Sequence, residues 1–205
     1  MKLQLIVPTR ALHRACRHVA SLLLVAAALA PAATIAQPAQ ACPPLLAHTA
    51  LRLQDEAPQN LCQYAGRVLL VVNTASYCGY TPQYEGLEAL HARYAKRGLV
   101  VLGFPSNDFN QEPANNRSIA EFCFNTYGVK FPMFAKTSVV GQTAHPFFAA
   151  LARASGQAPK WNFHKYLVDR DGRVVADFPS AVTPLDRRLT ERIEQLLASR
   201  SAAGR

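Results

Sequence analysis

The 205-residue sequence lacks an apolar run long enough to cross a bilayer comfortably: residues 19–30 fall short of the roughly 20 positions a spanning helix needs. It also lacks a clustered basic stripe. Lys and Arg number 22 against 13 Asp and Glu, but only Lys96-Arg97 and Arg187-Arg188 are adjacent, and no aromatic platform accompanies them. That pattern excludes a nucleic-acid-binding face and describes a mildly basic, solvated surface. No group of Cys and His has metal-ligand spacing, so no metal is expected, and His145 and His164 read as surface or hairpin residues. None of the five cysteines (Cys16, Cys42, Cys62, Cys78, Cys123) forms a Cys-x-x-Cys pair, which excludes dithiol exchange between near neighbours. No segment repeats.

What is present begins with a leader. Lys2, Arg10, Arg14 and Arg17 precede the apolar run, with no acidic residue among them, and Pro31 and small residues follow. This is the order of a secretory signal. The small-x-small rule fits cleavage after Ala36 or after Ala41, so residues 1–41 are expected to be removed. The product is then exported, periplasmic in a bacterial source, with no stable membrane association. An uncleaved N-terminal anchor and secretion are the alternatives. Without the leader's four cations the net charge falls from +9 to +5.

Residues 42–64 read as an irregular segment, 65–199 as one α/β domain, and 200–205 as a tail. Val68-Leu69-Leu70-Val71-Val72 and Leu99-Val100-Val101-Leu102 are continuous β-branched and apolar runs, as buried parallel strands require. Between them a helical pattern places Leu87, Leu90 and Tyr94 on one face and stops at Gly98. Ser118 and Glu121 read as the capping box of a helix over 119–127. A strand-like stretch is expected at 131–134, a helix from His145-Pro146, a hairpin turning at Asp171-Gly172, and a closing helix over 185–197. Parallel strands joined by crossovers and followed by an antiparallel hairpin imply a thioredoxin-like fold, a central mixed sheet flanked by helices.

Cys78 falls after the first buried strand and before the first helix, in a loop expected to be exposed. Amide N–H groups at such a junction favour a thiolate, which is the nucleophilic form of cysteine. Thr81 stands where a Cys-x-x-Cys motif would carry its second sulfur. A buried, inert Cys at a strand end is the alternative at this point.

The run Asn73-Thr74-Ala75-Ser76-Tyr77-Cys78-Gly79-Tyr80-Thr81-Pro82-Gln83-Tyr84 closely resembles the first signature of the glutathione peroxidase family. Gly103-Phe104-Pro105-Ser106-Asn107 resembles the second, and Lys160-Trp161-Asn162-Phe163 the third, all in order between about residues 65 and 197. The resemblance implies a thiol peroxidase that reduces hydrogen peroxide and organic hydroperoxides without a cofactor. It places the reacting sulfur at Cys78 and its surrounding donors at Gln111, Trp161 and Asn162. Neutral amide and indole N–H groups suit that task, since they orient a peroxide and stabilise charge without competing as nucleophiles. The second signature departs from the family: Ser106 replaces the usual Cys, Asp108 the usual Gln, and one residue is missing between Phe109 and Gln111. The shorter loop moves Gln111 by a residue's reach.

A peroxide leaves a sulfenic acid on the reacting cysteine, and the resemblance implies Cys123 as the resolving thiol, through a Cys78–Cys123 disulfide for which its helix must unwind locally. A buried helix Cys between two phenylalanines is the alternative. Cys42 and Cys62 then remain, and an even count in an exported chain suggests a structural disulfide between them. The short interval before Trp161 resembles the monomeric branch of the family, with a thioredoxin-like donor or glutathione as reductant. The rival function is a redox sensor or oxidoreductase that passes its disulfide to client proteins.

Overall fold

In the computed structural model, which describes residues 41–112 and 114–199, the chain passes through β1 (Thr49–Leu51), β2 (Pro58–Asn60), β3 (Val68–Thr74), α1 (Gln83–Tyr94), β4 (Leu99–Pro105), α2 (Asn116–Tyr127), α3 (Pro146–Ser155), β5 (Lys165–Val168), β6 (Val174–Phe178) and α4 (Arg187–Ala198). The leader up to position 40, with Cys16 and the Ala36 cleavage site, lies outside the described residues, as does the tail.

The main sheet has the order β4-β3-β5-β6. β3 pairs parallel with β4, from Val68 opposite Leu99 to Thr74 opposite Pro105, and antiparallel with β5, with Val72 opposite Lys165. Every residue of β3 and β4 is buried, which is why both read as unbroken apolar runs rather than alternating ones. The alternating pleat sends Val68, Leu70 and Val72 to one core with Tyr84, Leu87 and Leu90 of α1, Ile119 and Cys123 of α2, and Leu189 and Ile193 of α4. Leu69 and Val71 point to the other, against Phe147, Phe148 and Leu151 of α3. The mixed sheet flanked by helices is the architecture expected.

Several elements differ in detail. The segment 42–64, expected to be irregular, carries the small antiparallel sheet of β1 and β2, and Leu46, Ala50 and Leu61 are built into the α3-side core. The 131–134 stretch is no strand but a pair of isolated bridges, Gly103 to Met133 and Arg52 to Phe134. Gly103 permits that contact: a Cβ there would run into the Met133 sulfur. Helix α2 begins three residues early because Asn115, not Ser118, is its cap; the Asn115 side chain accepts from the Ser118 N–H. Glu121 instead pairs with Arg117 one turn back. The Asp171-Gly172 turn forms as expected: Gly172 has φ 78°, and Asp169 Oδ1 accepts from the N–H groups of Asp171 and Arg173.

A Cys42–Cys62 disulfide joins the two ends of the N-terminal segment, as the cysteine count suggested.

Candidate active site

The end of β3, the loop that follows it and two later loops converge at Cys78. The expected exposure of this loop holds for Tyr77, at 66%, but Cys78 is buried at 7%. Tyr80 donates its N–H to Cys78 Sγ at 3.3 Å. Such a contact strengthens as the sulfur becomes an anion. The nearest amide therefore comes from the loop itself, ahead of the first residue of α1. Thr81 is more than a missing cysteine. Its hydroxyl accepts from the Cys78 N–H at 3.0 Å and donates to the Ala75 carbonyl at 2.9 Å, closing the loop around the sulfur.

A second loop, 106–112, is fastened to the first. The Tyr77 N–H donates to the Gln111 carbonyl at 3.1 Å. The buried Glu112 carboxylate accepts from both the N–H and the hydroxyl of Ser76, each at 2.7 Å. Burial pushes the Glu112 carboxyl above its ordinary pKa. Asn110, the single residue between Phe109 and Gln111, has a φ of 58°, a left-handed conformation that Asn tolerates. Asp108 anchors the far side, accepting from the Val139 and Val140 N–H groups at 2.6 and 3.0 Å and from Ser138 Oγ.

The third loop brings Trp161 and Asn162. Asn162 is fully buried, and its Nδ2 donates to Gln111 Oε1 at 2.9 Å, so the shortened loop still reaches its expected neighbour. Asn162 Oδ1 has no partner among the described residues. Trp161 is 42% exposed, packs its ring 5.4 Å from Phe109, and borders a cavity of about 220 Å³ with Lys160, His164 and Asp177. Asn73, at the end of β3, ties this loop to the sheet: its Nδ2 donates to the Trp161 carbonyl and its Oδ1 accepts from the His164 N–H, each at 3.1 Å. His164 is not a surface residue. It is buried 3.6 Å from Asp177, and desolvation lowers its pKa to about 4. His145 caps α3 with its ring nitrogen.

Cys123 is a free thiol, 2% exposed, on α2. Burial pushes its pKa up to about 11, and the negative Glu112 adds to the shift. Its carbonyl accepts from the Val129 N–H beyond the Gly128 cap, so Cys123 belongs to the last turns of the helix. Helix ends open more readily than helix centres. Sequence reasoning missed Thr81, Glu112 and Asn73 as organisers of the site. Thr81 and Asn73 sit inside the first signature and Glu112 directly follows Gln111, so proximity to the motifs was the available signal.

The family model described as "Glutathione peroxidase" matches residues 46–152. The chain is 46% identical over 151 residues to the glutathione peroxidase homolog BsaA of Halalkalibacterium halodurans, covering 71% of this chain and 95% of the relative. It is 47% identical over 154 residues to the hydroperoxy fatty acid reductase gpx1 of Synechocystis sp., covering 70% and 90%. With the thioredoxin/glutathione peroxidase BtuE of Escherichia coli it shares 41% identity over 169 residues, 70% of this chain and 92% of that one. Among solved structures, T. cruzi GPX1 superposes with a TM-score of 0.60 at 32% identity, over 76% of this chain and 97% of that one. A thiol:disulfide interchange protein of Chlorobium tepidum, 16% identical with a TM-score of 0.57 over 77% of this chain and 98% of that one, shares the thioredoxin-like fold alone.

Proposed function

This chain belongs to the glutathione peroxidase family and is a thiol peroxidase, and we propose that Cys78 is the sulfur that meets the peroxide. The observation that carries this is the convergence on Cys78: the Tyr80 N–H on the sulfur, the Thr81 clasp, and the Gln111–Asn162 pair attached to the neighbouring Tyr77 backbone. The Cys78 thiolate attacks the terminal oxygen of the hydroperoxide. The O–O bond breaks, the sulfur becomes a sulfenic acid, and the departing alkoxide or hydroxide takes up a proton. Because Asn162 spends an Nδ2 proton on Gln111 Oε1, the Gln111 Nε2 protons remain to support the departing oxygen. The Trp161 indole N–H is the remaining donor.

The sulfenic acid then condenses with the Cys123 thiol, giving a disulfide and water. Cys123 is buried and held as a thiol, so this step follows opening of the end of α2. A thioredoxin-like donor, or glutathione as two thiols, reduces the disulfide and completes the cycle. The relative BtuE bears both reductants in its name. Hydrogen peroxide and organic hydroperoxides are the substrates. The protein acts as a monomer in an exported, oxidising compartment. The Cys42–Cys62 disulfide supports that location, as do the positive start and apolar run of the leader.

Peroxide consumption with each donor in turn tests this reading. Turnover is expected with the wild type and none with Cys78→Ser. Cys123→Ser is expected to consume one equivalent and form no intramolecular disulfide at Cys78, with Cys42–Cys62 unchanged. A disulfide that includes Cys78 in Cys123→Ser, beyond the standing Cys42–Cys62 bond, or turnover in Cys78→Ser, would overturn it.

A further inference from the structure

Lys165 is the one charged side chain in the buried first position of β5. It is 0% exposed, opposite Val72 of β3 and Phe178 of β6, and so points to the same side of the sheet as the core under Cys78. Removing an ammonium from water costs several kcal/mol, and an apolar residue of the same length would fill the space at no such cost. Burial lowers its pKa to about 7. Among the described residues its Nζ has a single hydrogen-bond acceptor, the Phe163 carbonyl, at 2.6 Å.

Phe163 is a residue whose backbone needs holding. Its φ of 62° lies in the left-handed region, which a bulky aromatic rarely occupies, and its ring is locked edge-on against Tyr84 at 5.4 Å. This bend separates Asn162 from β5. Its N–H donates to the Asn73 carbonyl at 2.6 Å, and Asn73 also grips Trp161 and His164. Asn73 thus holds the outer side of the turn, and the Lys165 ammonium holds its remaining carbonyl. Without that donor the Phe163 carbonyl is left unpaired in the core and the bend relaxes.

We infer that Lys165 is a positioning residue for the peroxide site: by fixing the strained Phe163 bend, it sets the direction from which the Asn162 side chain reaches Gln111. This rests on the reading of Asn162 as part of that site. A displacement of about 1 Å at such a group costs as much as a hundredfold in rate, so a loss of about tenfold or more is expected when the clamp is removed.

The test uses full-length Lys165→Met, which keeps an unbranched stem out to Cε and removes the ammonium. The melting temperature is expected to stay level or rise, while the rate constant for oxidation of Cys78 by hydrogen peroxide falls about tenfold or more. Lys165→Met on an Asn162→Ala background is expected to add no further loss, since both changes act through one amide. A wild-type rate in Lys165→Met, full additivity with Asn162→Ala, or a rate loss matched by a lowered melting temperature overturns the inference. Where the Met variant does not fold, Lys165→Gln, which keeps an N–H donor, is read instead. A rate within threefold of wild type and a protected Asn162 side-chain amide by NMR support the clamp, and loss of either refutes it. Should Asn162→Ala itself keep the wild-type rate, the reading of Asn162 has failed. A slow Asn162→Ala beside a normal Lys165→Met sinks the clamp alone.

Discussion

Asn162 Nδ2 and Gln111 Oε1 meet at 2.9 Å, although the two residues are 51 positions apart and the loop carrying Gln111 is one residue short of the family's length. The loop turns through the left-handed Asn110 and is anchored by Asp108 on the Val139 and Val140 N–H groups. The pair works as one unit, each amide fixing the other. Gln111→Ala and Asn162→Ala are each expected to slow Cys78 oxidation by about 10- to 100-fold. The double variant should be slower by much less than the product of the two. Stopped-flow measurement of thiol loss under excess hydrogen peroxide checks this. Independent, multiplying effects would show that the two amides do separate jobs.

The Cys42–Cys62 disulfide closes a loop over a sequence separation of 20. Its removal by Cys42→Ala/Cys62→Ala is expected to cost about 3 kcal/mol, a fall of about 6–12 °C in Tm for a domain of this size. Because the bond fastens β1 and β2 rather than the Cys78 loop, the rate of Cys78 oxidation should be unchanged below the new Tm. Thermal unfolding and the same thiol-loss assay together measure both halves of the claim.

His164 makes stability depend on acid. Its folded pKa, near 4, lies below the ordinary value of 6.5, so between these two values the unfolded chain binds the extra proton and the folded chain does not. The stabilisation is therefore fully present above pH 6.5 and is lost progressively as pH falls toward 4. Urea midpoints measured across that window should drop for the wild type. In His164→Phe the drop should be smaller, by the share His164 contributes.

How far the sequence carried the structure depended on whether a feature was local. The buried runs at Val68 and Leu99, the Gly98 stop and the Asp171-Gly172 turn are short-range patterns, and they formed where expected. Segment 42–64 looked irregular because β1 and β2 are only three residues each, too short for a period to show. Phe131-Pro132-Met133-Phe134 looked like a strand, but the proline withholds a ladder N–H and only isolated bridges form. In the site, Cys78, Trp161 and Asn162 were legible through their motifs. The Ser76 grip on Glu112 and the Asn73 ties were not, because each joins loops from distant parts of the chain, and the Thr81 clasp was not, because a hydroxyl that bonds backbone three and six residues away leaves no periodic pattern. His164 was misplaced for a related reason: it is buried between β3 and β6, with its N–H on Asn73 Oδ1 and its ring facing Asp177, both distant in sequence.

The most direct measurement is mass mapping of the Cys123→Ser variant after one equivalent of hydrogen peroxide in the presence of a dione probe for sulfenic acids. With no resolving thiol, the sulfenic acid should persist long enough to be trapped. The expected result is a single adduct on Cys78, with Cys42 and Cys62 still bridged. Peroxide consumed with Cys78 recovered as an unmodified thiol would contradict the account at its centre.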